Sequence, residues 1–254
     1  AKRIAKKSDW NNVLPVMCAV STWVRYNLDS RTDITWLDSF LLKKKKKKIS
    51  LDLYASELAH HSNYNEDIDK LILELKTECQ QTAADIERFS DLDETSFSHA
   101  ADLLSERTNK LASSLDFADR LHKIAVDIGD SDIAIQLIVL AGDIACHGFG
   151  LGEIHLRINA VQLRNAMGVA DSGSGSLPFH DVRSRVLLDD LCTRIKSEPP
   201  WEINFQSLSE ENATARRQLM LATQILKHVD CDQPIRLLIA ECEKPVTIMT
   251  ALYL

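Results

Sequence analysis

The hydrophobic positions in the first half of the chain recur at the spacing of an α-helix. Apolar residues between positions 103 and 128 lie three, four or seven residues apart, which predicts one amphipathic helix over this stretch. Gly129 is expected to end that helix, and Ser131 or Asp132 to cap a second helix over residues 133–146. On periodicity alone, the first half is predicted to be a helical bundle.

The second half of the chain mixes strand and helix patterns. Residues 153–158 alternate polar and apolar side chains, which indicates a strand, and residues 235–240 form a short apolar run typical of a buried strand. A helix-like segment follows each of them, so the two strands are expected to be parallel. The predicted fold class is mainly α, with a helical region over 1–147 and strand–helix units over 148–254.

Local signals divide this second half further. The Gly- and Ser-rich residues 171–176 predict a flexible loop, and Glu198-Pro-Pro200 predicts a break between helices. A helical segment is predicted over 181–196. The stretch from Ser207 to Glu210 has the pattern of a capping box, which would lead into a helix over 216–229.

Both ends of the chain suggest a longer protein. The first residue is not methionine, and the last nine residues are apolar and helix-like without a stop signal. In addition, the two strands predicted over 153–158 and 235–240 are too few to form a closed β-barrel by themselves. We therefore expect the chain to be an internal piece of something larger.

Charge is distributed unevenly. Ten of the 30 basic residues lie within residues 2–7 and the run Lys43 to Lys48, which leaves 20 basic against 37 acidic residues elsewhere. Such an acidic body is not expected to bind nucleic acid, because phosphate contacts need a basic face. The lysine run itself is predicted to be a solvated loop or helix face, and an anion or membrane contact is the alternative.

The composition also bounds the compartment. No apolar run is long enough to span a bilayer, so no membrane partner is expected. The six cysteines are scattered without a CxxC pair, as expected of small buried hydrophobes in a reducing compartment. A cytoplasmic location is predicted.

Most clusters of reactive residue types lack the spacing their chemistry requires. Cys146-His147 with His155, and the stretch Glu241-Cys242-Glu243, do not have zinc-ligand spacing. The glycine-rich residues 148–152 precede a strand, whereas a dinucleotide fingerprint follows one. No nucleophile-elbow motif is present.

Arg157 is the strongest candidate for chemistry. It lies late in the strand predicted over 153–158, and Asn159 follows at the strand-to-helix turn. Ligands of α/β sheets and barrels bind where strands end, and a guanidinium there suits a phosphate or a carboxylate. An ordinary ion pair is the alternative. A second stretch, residues 23–35, is dense in polar and aromatic groups.

Three stretches of the chain resemble phosphoenolpyruvate carboxylases. Residues 149–160 resemble the family's FGL-x-L-x-x-LDIRQES stretch, with Arg157 matched to its arginine. Residues 23–35 are similar to WMGGDRDGNPNVT and keep Trp23, Asp29 and Thr35. Residues 235–254 resemble the family's YVISM…PSDVLAV…LL strand and helix. The order and spacing of all three agree, so the resemblance covers essentially the whole chain and is nearest to a divergent bacterial branch.

The resemblance implies a segment of a largely helical α/β barrel enzyme. The family joins bicarbonate to phosphoenolpyruvate, giving oxaloacetate and phosphate, uses Mg²⁺ or Mn²⁺, and is expected to form homo-oligomers. Its intermediates, carboxyphosphate and an enolate, are oxyanions that arginines stabilise. Arg157 would bind substrate, and Asp29, Arg31 and Asn159 would form scaffold at the mouth of the site.

The departures from the family pattern leave a second interpretation open. Arg25, Tyr26, Asn27 and Ser30 replace a double glycine, an aspartate and a further glycine, and the acidic residue after the arginine is lost. The family's catalytic histidine motif and its metal ligands are not found, so this chain alone is expected to be inactive and to supply no metal ligand. The alternative is a non-catalytic helical scaffold or regulatory relative.

Overall fold

The computed structural model describes residues 18, 20–22, 35–62, 64–90, 94–108, 110–129, 131–171 and 185–254. This part of the chain is mainly helical, as predicted. Its helices are α1 (Trp36–Ala59), α2 (Glu66–Ser90), α3 (Glu94–Glu106), α4 (Ser114–Ile128), α5 (Asp132–His147), α6 (Ala160–Asp171), α7 (Arg185–Ser197), α8 (Phe205–Glu210), α9 (Thr214–His228) and α10 (Pro245–Tyr253). Its strands are β1 (Ser21–Thr22), β2 (Glu153–Asn159) and β3 (Ile235–Ala240).

The described residues form two compact units. Unit 1 consists of the described residues within Ala1–Thr22, Phe40–Glu153 and Ile225–Pro234, and unit 2 of those within Trp23–Ser39, Ile154–Gln224 and Ile235–Leu254. As domain boundaries, 1–147 and 148–254 stay a prediction.

The core of unit 1 joins the apolar faces of α1, α2, α4 and α5. Fully buried members of one cluster are Leu58 of α1, Leu75 of α2, Leu121 of α4, Leu137 of α5, and Phe149. Each buried leucine contributes about 1.5–3 kcal/mol through the hydrophobic effect. The helical bundle predicted from periodicity is confirmed in this unit.

The single helix predicted over residues 103–128 is wrong. The chain leaves the helix after Glu106 and starts α4 at Ser114, with the Ser113 hydroxyl accepting a hydrogen bond from the Asp116 N–H at 3.0 Å. The Leu111 N–H donates instead to the buried Glu78 carboxylate at 3.1 Å. Side-chain partners for backbone groups thus replace helical hydrogen bonds at the break.

The other boundaries around this region are confirmed. Gly129 ends α4 with φ 84°, and the Ser131 hydroxyl caps α5 by accepting from the Ala134 N–H. The capping box predicted at Ser207 to Glu210 is wrong in position. Asn204 is the N-cap of α8, and Ser207 is the third helical residue that completes its box.

The three strands form one sheet in the order β1-β2-β3. β2 and β3 are parallel, with Ile154 opposite Ile235 and Asn159 opposite Ala240. Glu153, the first residue of β2, donates its N–H to the Val20 carbonyl at 2.8 Å. Both predicted strands and their parallel direction are therefore confirmed.

Among the described residues, the two faces of the β2–β3 pair differ in burial. Ile154, Leu156 and Ile158 of β2 are buried, whereas β3 alternates between half-buried and exposed residues and leaves Leu238 45% exposed. The expectation of a buried strand over 235–240 is therefore wrong for half of its side chains. On the covered face, Ile158 belongs to a cluster in unit 2 with Leu163 of α6.

Several expectations fall on other parts of the chain. The loop predicted over 171–176 lies outside the described residues except for Asp171, which ends α6. The cysteines are exposed or half-buried, not buried hydrophobes as expected; they are Cys18, Cys79, Cys146, Cys192, Cys231 and Cys242. In the described ranges, no helix has the length and apolarity needed to cross a membrane.

Candidate functional site

Arg157 lies near the carboxyl end of β2. Its neighbours Leu156 and Ile158 are buried on the covered face, and Arg157 itself is exposed. Because successive side chains of a strand point to opposite faces, Arg157 belongs to the sheet face opposite the core. The carboxyl ends of parallel strands are where α/β folds bind ligands. The structure thus gives Arg157 the strand position that the sequence predicted.

Asn159 occupies the predicted strand-to-helix turn, but its side chain caps a helix. Its Oδ1 accepts a hydrogen bond from the Gln162 N–H at 2.8 Å, and its own N–H donates to Gln162 Oε1 at 2.9 Å. This reciprocal pair fixes the start of α6. Asn159 therefore sets the direction of the chain immediately after Arg157.

Arg236 lies on the same sheet face and was missed by the sequence analysis. In the parallel register it stands opposite His155, and Leu238 stands opposite Arg157. Arg236 and Arg157 are both exposed. The signal was present in the sequence, since alternation along 235–240 assigns Arg236 and Leu238 to one face.

The remaining predicted residues of this site cannot be compared with it. Asp29 and Arg31 lie outside the described residues, as do Arg25, Tyr26, Asn27 and Ser30. Their role as scaffold stays a prediction.

The lysine run belongs to α1 and has three of its six residues buried, so its interpretation as a solvated loop or helix face is wrong for half of the run. Lys43, Lys44 and Lys47 are 0–1% exposed, while Lys45 and Lys48 face solvent. The buried positions continue the helical stripe that includes Phe40, Leu51, Tyr54 and Leu58. Extending the apolar spacing backward from Leu51 would have assigned the three lysines to the buried face.

Lys47 has a complete set of partners. Its ammonium donates to the carbonyls of Leu111 at 2.7 Å and Val229 at 2.8 Å, and it forms an ion pair with Glu78 Oε1 at 2.8 Å. Three donors therefore meet three acceptors, which offsets the cost of burying the charge. Lys47 joins three segments of unit 1 that are far apart in sequence.

Lys44 belongs to a second buried ion-pair cluster. Its Nζ lies 2.9 Å from Asp85 Oδ2, and Arg107 also contacts the Asp85 carboxylate. Burial lowers the pKa of Lys44 to about 8, although Asp85 opposes this effect. Burial also acts to raise the pKa of Asp85, but Lys44 and Arg107 outweigh it and hold that pKa below its ordinary value.

Lys43 has a single hydrogen-bond partner among the described residues, the Gly152 carbonyl at 3.0 Å. Burial lowers the pKa of Lys43 to about 7, the nearby Lys46 lowers it further, and Asp230 partly opposes both. The amine is thus near its midpoint at neutral pH. It is completely buried, which keeps it away from any dissolved substrate.

The glycine-rich turn from Gly148 to Gly152 is held by this buried face of α1. Besides Lys43, the Ser50 hydroxyl donates to the Phe149 carbonyl, and the Phe149 N–H donates to Asp230 Oδ2 at 2.8 Å. Gly148 has φ 63°, and a Cβ there would lie 2.5 Å from Asp230 Oδ2. The turn that leads into β2 is therefore specified by buried polar contacts.

His228 is a buried histidine whose ring accepts a hydrogen bond. Burial, followed by the nearby Lys110, lowers the pKa of His228 to about 3. The neutral ring accepts a hydrogen bond from Lys110 Nζ, 3.1 Å from Nδ1. His228 is thus structural, and it is not poised to act as a general base near pH 7.

Three of the acidic groups that line two clefts of unit 1 already have a basic partner in the chain. In a cleft of about 460 Å³, Glu78 pairs with Lys47, and Glu74 pairs with Arg120 at 2.8 Å. In a cleft of about 560 Å³, the Asp143 carboxylate lies 2.9 Å from His147 Nδ1. The described residues contain no group of three or more His, Cys, Asp or Glu that could hold a metal ion. The candidate site is therefore the exposed face of β2 and β3.

Comparison with known proteins adds no relative. No protein-family model matches the chain, and a search of the curated proteins finds no match.

Proposed function

We propose that the exposed face of β2 and β3 is part of the substrate site of a phosphoenolpyruvate carboxylase-like α/β barrel enzyme. The proposed reaction joins phosphoenolpyruvate and bicarbonate to give oxaloacetate and phosphate. The observation that carries the proposal is Arg157, an exposed guanidinium at the carboxyl end of a strand in a parallel pair.

The exposed residues on one sheet face support the barrel part of the proposal. Parallel strands occur almost only where both faces of the sheet are covered. Here one face packs on the core of unit 2, and the other exposes Arg157, Arg236 and Leu238. A face of this kind, lined with guanidiniums, fits the interior of a barrel that binds an anion.

The proposed role of Arg157 follows from its chemistry. A guanidinium can donate two parallel hydrogen bonds to a phosphate or a carboxylate. In the proposed reaction it would bind phosphoenolpyruvate and stabilise the negative oxygens that develop on carboxyphosphate and the enolate. The family resemblance implies a magnesium or manganese ion for this chemistry, and we assign none of the described residues to it.

The test is a steady-state assay of oxaloacetate formation with the protein as its gene encodes it. Arg157→Ala is expected to lower kcat/KM by about 100-fold or more, as removal of an oxyanion donor does. The matched control is Arg185→Ala, which removes an exposed arginine at the start of α7.

Two outcomes would reject the proposal. Undiminished turnover in Arg157→Ala would remove this residue from the site. A wild-type protein that forms no oxaloacetate from phosphoenolpyruvate and bicarbonate would favour the non-catalytic scaffold or regulatory relative.

A further inference from the structure

Lys110 lines a cleft of unit 1, and its ammonium group lies beside a neutral ring. The cleft has a volume of about 460 Å³. Lys110 is half-buried, and its Nζ lies 3.1 Å from Nδ1 of His228. Because the ring of His228 is uncharged at neutral pH, this hydrogen bond favours the charged form of Lys110 less than a carboxylate would.

The charges near Lys110 are paired with one another. Glu78 of α2 pairs with Lys47 of α1 at 2.8 Å, and Asp85 of α2 pairs with Arg107. Burial lowers the pKa of Lys110, and Arg107 and Lys47 lower it further, while Asp85 and Glu78 oppose this effect. A larger share of Lys110 is therefore a neutral amine at neutral pH than of an ordinary lysine.

Two lysines of the same unit have the opposite surroundings. The Nζ of Lys70 lies 2.7 Å from Asp67 Oδ1, and the Nζ of Lys123 lies 2.6 Å from Asp119 Oδ2, at exposed positions. In each case the hydrogen bond to the aspartate raises the pKa of the lysine. These two lysines are the internal reference for the reactivity of Lys110.

We infer that Lys110 is a nucleophilic amine, and that it forms an imine with a small uncharged aldehyde bound in this cleft. The lone pair of Nζ attacks the carbonyl carbon and forms the carbon–nitrogen bond. The carbonyl oxygen takes both protons of the amine and leaves as water, so the step needs no oxidant or reductant. The inference does not rest on the proposed function.

The lining of the cleft favours an uncharged ligand of this kind. Leu73 and Leu111 offer apolar contacts, and Thr77 offers a hydroxyl group. Both carboxylates of the lining, Glu74 and Glu78, already have a basic partner, so neither a cationic nor an anionic ligand finds a matching charge there. The volume is within the range of small-molecule sites.

The experiment measures the labelling of single lysines in the whole chain. The probe is glycolaldehyde at limiting concentration, with sodium cyanoborohydride to reduce each imine to a stable amine, and peptide mass spectrometry identifies the modified sites. At neutral pH, Lys110 is expected to be labelled about tenfold faster or more than Lys70 and Lys123. Its labelling rate should also level off at a lower pH than theirs.

Two variants separate the amine from the cleft. Lys110→Arg should remove the fast labelling and leave the rates at Lys70 and Lys123 unchanged. Thr77→Trp places a large ring in the cleft and should slow labelling at Lys110 several-fold. Its matched control is Glu87→Trp, at an exposed position of α2 outside the lining, which should leave that rate unchanged, with circular dichroism reporting folding in every variant.

Three outcomes would overturn the inference. Labelling of Lys110 no faster than that of Lys70 and Lys123, or with the same pH dependence, would mean that it is an ordinary lysine. Fast labelling that survives Thr77→Trp would reject the cleft as the binding site. Glyoxylate, which is anionic, should show a smaller preference for Lys110 over Lys70 than glycolaldehyde does, and an equal or larger preference would reject the ligand class.

Discussion

The two units of this protein use positive charge in opposite ways. In unit 1, Lys43, Lys44 and Lys47 of α1 are completely buried and donate to carbonyls or carboxylates of the chain itself. In unit 2, Arg157 and Arg236 lie exposed on one face of a parallel strand pair. A completely buried cation that donates to the chain has a structural role, whereas an exposed guanidinium near the carboxyl end of a strand, such as Arg157, is suited to a ligand.

The largest effect on stability is expected from removing Lys47, the buried lysine with the most hydrogen-bond and ion-pair partners. Lys47→Met would leave the buried Glu78 without its cation and the Leu111 and Val229 carbonyls without a donor. We expect a loss of about 3–5 kcal/mol in the free energy of unfolding, measured by urea denaturation.

Lys48→Met, one residue along at an exposed position, is the matched control and should change the free energy of unfolding by less than about 0.5 kcal/mol. Equal effects of the two substitutions would mean that burial does not distinguish the two lysines, and would contradict a structural role for Lys47.

A second test concerns the turn held by these contacts. Gly148→Ala would require a left-handed backbone at φ 63° and would press its Cβ against the Asp230 carboxylate. The expected loss is about 2–3 kcal/mol in the free energy of unfolding, from the backbone conformation and the disturbed hydrogen bond to Phe149.

Gly168→Ala provides the comparison, because a Cβ at Gly168 of α6 meets no atom within 4 Å and alanine favours helices. That variant should be as stable as the wild type or slightly more stable. A Gly148→Ala protein with wild-type stability would contradict the claim that the turn requires glycine at this position.

The third test uses pH. The pKa of Lys43 is about 7 in the folded protein, against 10.5 for an ordinary lysine, so the unfolded chain binds more protons between these values. Stability should therefore rise with pH from about 7 to 10.5, by at most about 1.4 kcal/mol per pH unit from this group. Lys44, with its pKa near 8, adds to the same slope.

Lys43→Met removes one titrating group and should flatten the dependence of unfolding free energy on pH. Because Lys43 makes a single hydrogen bond in the described chain, this variant should lose far less stability than Lys47→Met, or gain some. An identical pH slope in wild type and Lys43→Met would show that Lys43 keeps an ordinary pKa.

The sequence predicted helices and strands with regular hydrophobic spacing better than it predicted features that depend on buried polar side chains. α5 and its Ser131 cap, and both strands of the parallel pair, follow from local spacing alone. The break between α3 and α4 does not, because it depends on Glu78, which is far away in sequence and accepts from the Leu111 N–H. Such tertiary partners cannot be deduced from a periodic pattern.

The same reason explains the error at the lysine run. Six consecutive charges normally remain in water. Burial of Lys44 and Lys47 is possible because acceptors from distant segments of the chain offset the cost of removing the two charges from water. Arg157 could be chosen from the sequence because its strand position is local information. The alternation along 235–240 assigns Arg236 to one face of its strand, but only the register between β2 and β3 shows that Arg236 and Arg157 share a sheet face.

The most direct test of the account measures stability and activity on one variant. In the protein as its gene encodes it, Arg157→Ala should unfold at the same urea concentration as the wild type, since the side chain is exposed, and should lose about 100-fold or more in kcat/KM for oxaloacetate formation. A variant that is destabilised but retains its activity would contradict the account, because Arg157 would then be structural, like the lysines of α1.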